Sequence, residues 1–147
     1  MARKKPPAPP AWMDTKISAT IIDFGMPLIE QLPADAPLEI RQGMVSFIVQ
    51  VWNAHVMAMP LWGQPQHVGE MRKTLMRAGA DQGLAQEALA TFEMLSARRR
   101  ERRFANDPRA VGEWSVRVID AENWNIRCDA RLPLGMTSAT PIEPPPA

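Results

Sequence analysis

Tyrosine is missing from this chain of 147 residues, cysteine occurs once and histidine twice. A lone thiol, Cys128, can close no intramolecular disulfide and build no cysteine-based zinc site, and it suits a reducing cytoplasm. Net charge is nearly absent: 17 Lys and Arg against 16 Asp and Glu leave +1, so no global field draws the chain to nucleic acid or a membrane. Any basic effect must be local. A span of about 20 apolar residues is also lacking, because the longest apolar stretch, 44–59, is broken by Ser46, Gln50, Asn53 and His55. The opening Met-Ala-Arg-Lys-Lys-Pro-Pro-Ala-Pro-Pro puts prolines where a secretion signal needs an apolar segment, so no such signal is expected. No glycine-rich phosphate loop, Gly-x-Ser-x-Gly elbow or spaced Ser/His/Asp set occurs. The sequence therefore predicts a cytoplasmic, non-enzymatic protein with no cofactor.

What the chain does have is 15 prolines, ten methionines and five tryptophans within an ordinary globular apolar fraction of 46%. The prolines concentrate at the ends, which predicts a flexible Pro-rich basic arm over 1–13 and a Pro-rich tail over 133–147, flanking one domain over 14–132. Methionine and tryptophan are adaptable and bulky core fillers.

Within the domain, Ile17, Ile21, Phe24, Leu28 and Leu32 recur at helical spacing, capped by Asp14 or Thr15. Pro27 removes the donor to the Asp23 carbonyl, so a kink or break is expected there; a short strand over 17–22 is the alternative. A second helix over 37–59 carries one wet stripe of Glu39, Gln42, Ser46, Gln50 and Asn53, as in the central helix of a bundle. A third, over 65–78, should stop at Gly79, and a fourth should start at an Asp81 cap and close at Asn106-Asp-Pro108. After Gly112 the period changes to two. Placing both apolar sets on one face pairs Val118 with Trp124, Val116 with Ile126 and Trp114 with Cys128 around a loop at 120–122. The expected fold is α+β: a bundle of about four helices followed by an antiparallel β-hairpin whose tryptophans point inward.

The strongest candidate for chemistry is the arginine run at the end of the fourth helix. Arg98, Arg99, Arg102 and Arg103, extended by Arg109, Arg117, Arg127 and Arg131, could form a partner- or phosphate-binding surface. The competing reading is that cations there complement the helix dipole and pair with Glu93, Glu101 and Asp107. His67 and Glu70 stand three apart, but a metal site needs three or four convergent ligands, so none is expected. His55 reads as a neutral buried or boundary histidine and Cys128 as a small hydrophobe. Asn53 beside Trp52 either binds a peptide carbonyl or a base, or ends the solvent stripe.

The segments Val51-Trp-Asn-Ala-His-Val56 and Arg103-Phe-Ala-Asn-Asp-Pro-Arg109, the latter followed by Val111-Gly-Glu-Trp114, resemble small bacterial proteins of unassigned function over about residues 17–131. That resemblance implies no activity, ligand or residue role. The residues favour an interaction or regulatory module that meets a protein partner, or a second copy, through the arginine-rich helix end and the hairpin. The alternative is an RNA- or DNA-binding protein using the same basic surface, with Trp114 or Trp124 stacking on a base.

Overall fold

In the computed structural model, residues 11–81, 84–120 and 123–133 are described. Residues 1–10 of the arm expected over 1–13, the tail beyond Pro133, and residues 82–83 and 121–122 lie outside them. Four helices, α1 (Ile17–Ile29), α2 (Leu38–Met57), α3 (Gln66–Asp81) and α4 (Leu84–Arg99), precede a one-turn α5 (Arg102–Ala105) and two antiparallel strands, β1 (Ala110–Val118) and β2 (Trp124–Arg131). This is the expected α+β arrangement. No helix among the described residues is long and apolar enough to cross a membrane.

The strand register is the one that the alternation predicts: Val118 faces Trp124, Val116 faces Ile126 and Trp114 faces Cys128. Beyond Trp114 the ladder slips, with Gly112 and Glu113 together opposing Asp129 before Val111 meets Ala130. Such a bulge adds local twist at the base of the ribbon. An isolated hairpin is marginal in water, so its apolar side must be covered. Here α1 packs against β2 and α2 against β1, while α3 and α4 close the other side of α2.

The core joins α1, α2, α4, α5 and the ribbon. Phe24, Trp52 and Phe104 meet edge to face at 5.2, 5.6 and 6.0 Å, the geometry that the ring quadrupoles favour. Gly25 lets α1 approach α2, since a Cβ there would sit 2.5 Å from Ile48 Cδ1.

Several boundaries differ from the sequence reading. Lys16, without a side-chain bond, occupies the N-cap of α1; Asp14 belongs to a preceding 3-10 turn, Ala11–Asp14. That turn is part of the fold, because Trp12 is buried and lies under the Arg109 guanidinium at 5.5 Å. The helix α1 continues through Pro27 and ends at Ile29. Gly79 and Asp81, expected as stop and cap, are inside α3, whose other residues carry it past the glycine's cost of about 1 kcal/mol. The arginine run does not end one helix: Arg98 and Arg99 close α4, and Arg102 and Arg103 lie in α5.

Candidate interaction surface

Half of the eight arginines expected to meet a partner, Arg98, Arg99, Arg103 and Arg109, are used within the molecule. Arg98 donates to the carbonyls of Asp23 (2.7 Å) and Phe24 (2.9 Å) in α1. The first of these is the carbonyl that Pro27 leaves without a helical donor, so Arg98 supplies from α4 what the proline removes. Arg103 bonds both oxygens of Asp23 at 3.0 and 3.1 Å and also reaches Glu101.

Arg99 and Arg109, expected on the surface, are buried at 4% and 0% exposure, which is a correction with a clear physical cause. Each guanidinium is held by acceptors inside the fold, main-chain carbonyls for Arg99 and the Asp107 carboxylate with Thr15 and Thr20 for Arg109. Arg99 donates to the carbonyls of Phe104 and of Asp107 (2.8 Å) and stacks on Trp52 at 4.6 Å. Burial lowers its pKa to about 10, against the opposing pull of Asp107, so it stays charged at neutral pH. Arg109 forms a fully buried ion pair with Asp107 at 2.7 Å and donates to Thr15 O and Thr20 Oγ1.

Five of the expected residues remain exposed: Arg102 and the ion-paired Arg103 on α5, and Arg117, Arg127 and Arg131 on the ribbon. Strand alternation puts the last three on the face turned away from the helices, together with Ser115, Asn125 and Asp129. Arg131 lies across Gly112, where a Cβ would meet its side chain at 2.7 Å.

Of the residues that fasten the ribbon, sequence reasoning singled out Asn53 as a possible peptide binder and missed Ser18 and Trp62. Asn53 donates to Val111 O (2.9 Å) and accepts from Val111 N (2.7 Å), so its amide replaces a neighbouring strand at the base of β1. It binds a peptide group of its own chain instead of ending a solvent stripe. Ser18 does the same on the other edge, accepting from Cys128 N (2.9 Å) and donating to Cys128 O (3.3 Å). Trp52 and Trp62 donate to the carbonyls of Arg109 and Pro108, each at 2.7 Å. Segments 51–56 and 103–114 are therefore fastened to each other. Arg41 was also missed: it is buried, donates to Ala34 O and Ala36 O, and covers the Trp124 ring at 4.7 Å.

These contacts fix which main-chain groups of the ribbon stay open. In an antiparallel pair, alternate residues turn both N–H and C=O toward the neighbouring strand or away from it. Cys128 turns them outward to Ser18, and so do the residues two and four positions along, Ile126 and Trp124, and their partners Trp114, Val116 and Val118. Ile119, in the opposite phase, donates inward to Asn123 O at 2.9 Å. Val111 and Cys128 have partners, whereas among the described residues nothing pairs with the outward groups of Trp114, Val116 and Val118, the edge of β1. Its apolar underside is incompletely covered as well: Trp114 and Val116 are half-buried and Val118 is 39% exposed, against 3% for Ile126 and 5% for Cys128 on β2.

The remaining polar candidates have structural surroundings. His67 bonds Gln64 Oε1 at 2.9 Å and approaches Glu70 at 3.9 Å. No group of three His, Cys, Asp or Glu among the described residues could hold a metal ion. Burial, and then Asp129, pushes the Cys128 thiol up to about 12, so it remains protonated. His55 bonds Ser96 Oγ at 2.8 Å and stacks on Phe92. Burial, followed by Arg99, Arg100 and Arg72, lowers its pKa from 6.5 to about 4.

A histidine with a depressed folded pKa binds protons more readily when unfolded, so its contribution is complete above pH 6.5 and is lost as pH falls toward 4. With the ring partly open to solvent, that loss is about 1–2 kcal/mol. Urea unfolding of the wild type at pH 7 and pH 4.5 should show it, and His55→Gln should shrink it. An equal acid sensitivity in the variant would assign the loss to other groups.

No family model matches this chain, and no curated protein or solved structure is significantly similar to it.

Proposed function

We propose that the protein is a non-enzymatic interaction module that binds a protein partner by accepting a strand on the β1 edge, beside the exposed guanidinium groups of the ribbon. The observation that carries this reading is the row of main-chain groups at Trp114, Val116 and Val118 that are unpaired among the described residues, next to an incompletely covered apolar underside. Main-chain bonds of an added strand supply affinity, and the side chains flanking the edge select the partner. Arg117, Arg127 and Arg131 favour acidic side chains on the outer face of that strand.

The basic face less readily suits nucleic acid. Its arginines are interspersed with Asp129 and Glu113, and the tryptophans lie on the opposite side of the ribbon, with Trp124 under Arg41, so no aromatic platform adjoins them. Affinity capture from the native cell, with and without nuclease, separates the two readings. The comparison variant is Val116→Pro, which blocks the edge without removing a β1–β2 bond, because the Val116 N–H points outward. Proteins retained after nuclease by the wild type should fall at least about ten-fold with the variant, the effect of losing about 1.4 kcal/mol. Equal retention by both chains would overturn edge binding, and loss of all partners on nuclease treatment would support the nucleic-acid reading.

A further inference from the structure

The edge has a sequence that complements itself. Along the outer face of β1, Glu113, Ser115 and Arg117 follow one another at alternate positions. When two such strands run antiparallel about a two-fold axis at Ser115, each Glu113 stands directly opposite the partner's Arg117. Trp114 and Val116 are then the hydrogen-bonded positions. Each exchanges both main-chain bonds with the partner's Val116 or the partner's Trp114, and the half-buried Trp114 side chain meets the partner's Val116 on the underside.

We infer that the occupant of the β1 edge is a second copy of this chain, joining two hairpins into a continuous four-stranded sheet with Glu113 paired to the partner's Arg117. The inference rests on the strand-addition reading above and commits it to one partner. Alternative registers are worse. Moving the axis to Val116 leaves Glu113 opposite the partner's Ile119 and Arg117 opposite the partner's Ser115. Moving it to Arg117 sets that residue against itself, and like charges directly opposite each other destabilise a sheet. Shifting the other way brings Arg117 toward the partner's Val111, whose outward groups Asn53 already holds. The β2 edge is the poorer candidate, since α1 lies along it, with Ser18 at Cys128 and Ile22 and Ile29 beside Trp124 and Ile126. The bulge at Gly112 and Glu113 blunts the base of β1 and leaves the stretch from Trp114 to Val118 regular, with Glu113 at its margin.

The experiment is sedimentation or light scattering on the full chain and three charge variants, with far-UV circular dichroism to show that each folds. The wild type is expected to dimerise. Arg117→Glu alone and Glu113→Arg alone place like charges across the axis twice, so each should weaken the dimer by at least about ten-fold. Mixed together, these two single variants should associate with each other, and the double exchange Glu113→Arg/Arg117→Glu should dimerise again. In the dimer the Trp114 and Val116 amides should become protected from hydrogen exchange as concentration rises. Failure of the double exchange to restore a dimer, or of the mixture to associate, would overturn the register. A wild type that stays monomeric overturns self-pairing altogether. If Val116→Pro still abolishes capture of other proteins, strand addition stands without it; if capture is also unchanged, both ideas fall.

Discussion

Alanine in place of Asp107 should lower the unfolding free energy by about 3–5 kcal/mol, which for a chain of this size is a fall of roughly 10–20 °C in the thermal midpoint. Both members of the Asp107–Arg109 pair have fully buried side chains. The carboxylate holds Arg109 at three points: Oδ1 accepts from the main-chain N (3.0 Å) and from Nε (2.9 Å), and Oδ2 accepts from Nη2 (2.7 Å). Removing it leaves a guanidinium charge in the core with Thr15 O and Thr20 Oγ1 as its acceptors among the described residues. The cost is that of an uncompensated buried charge, which exceeds what the intact pair contributes over an apolar replacement. The double variant Asp107→Ala/Arg109→Met should consequently lose less than the sum of the two single variants. Urea titration of the four proteins gives the comparison, and an Asp107→Ala protein within about 1 kcal/mol of wild type would contradict the account.

The same pair ties the candidate surface to the fold. Arg109 holds the 3-10 turn through Thr15, and its carbonyl accepts from Trp52 two residues before Asn53 grips Val111. The edge of β1 is thus presented from a rigid base, which favours strand addition because little backbone must be ordered on binding.

How much of this was legible follows from what each residue can report. The hairpin register was readable because the side-chain period of a strand is two, so a shift by one residue would have turned Trp114, Val116, Ile126 and Cys128 to water. The arginine run was misread because residue type gives charge and not reach. Arg98 finds its acceptors 74 and 75 positions away, in α1. The sequence held half of that contact: Pro27 announces an orphaned carbonyl at Asp23, but nothing local says which donor arrives. Asn53 carried a similar partial signal. An amide beside Trp52 was recognisable as a peptide binder, yet the peptide belongs to a strand 58 residues downstream. Arg41 gave no signal, since its position among the polar residues of α2 suits an exposed side chain.

Trp52→Ala should lower the unfolding free energy by about 3–5 kcal/mol, and the milder Trp52→Phe by about 1–3 kcal/mol, the cost of an unsatisfied buried acceptor. Trp52 is fully buried, touches Phe24 and Phe104 edge to face, and lies beneath the Arg99 guanidinium. Its truncation opens a cavity where α1, α2 and α5 meet and strands the Arg109 carbonyl, which accepts from the indole at 2.7 Å. Phenylalanine restores most of the packing but not that donor, so the two variants separate volume from hydrogen bonding. Hydrogen exchange should follow the same division: Trp52→Phe loosens the amides near Ala110 and Val111 while those of α3, which does not depend on this contact, keep their protection. A Trp52→Phe protein as stable as wild type would mean that the Arg109 carbonyl finds another donor, and the clamp on β1 would then rest on Asn53 and Trp62.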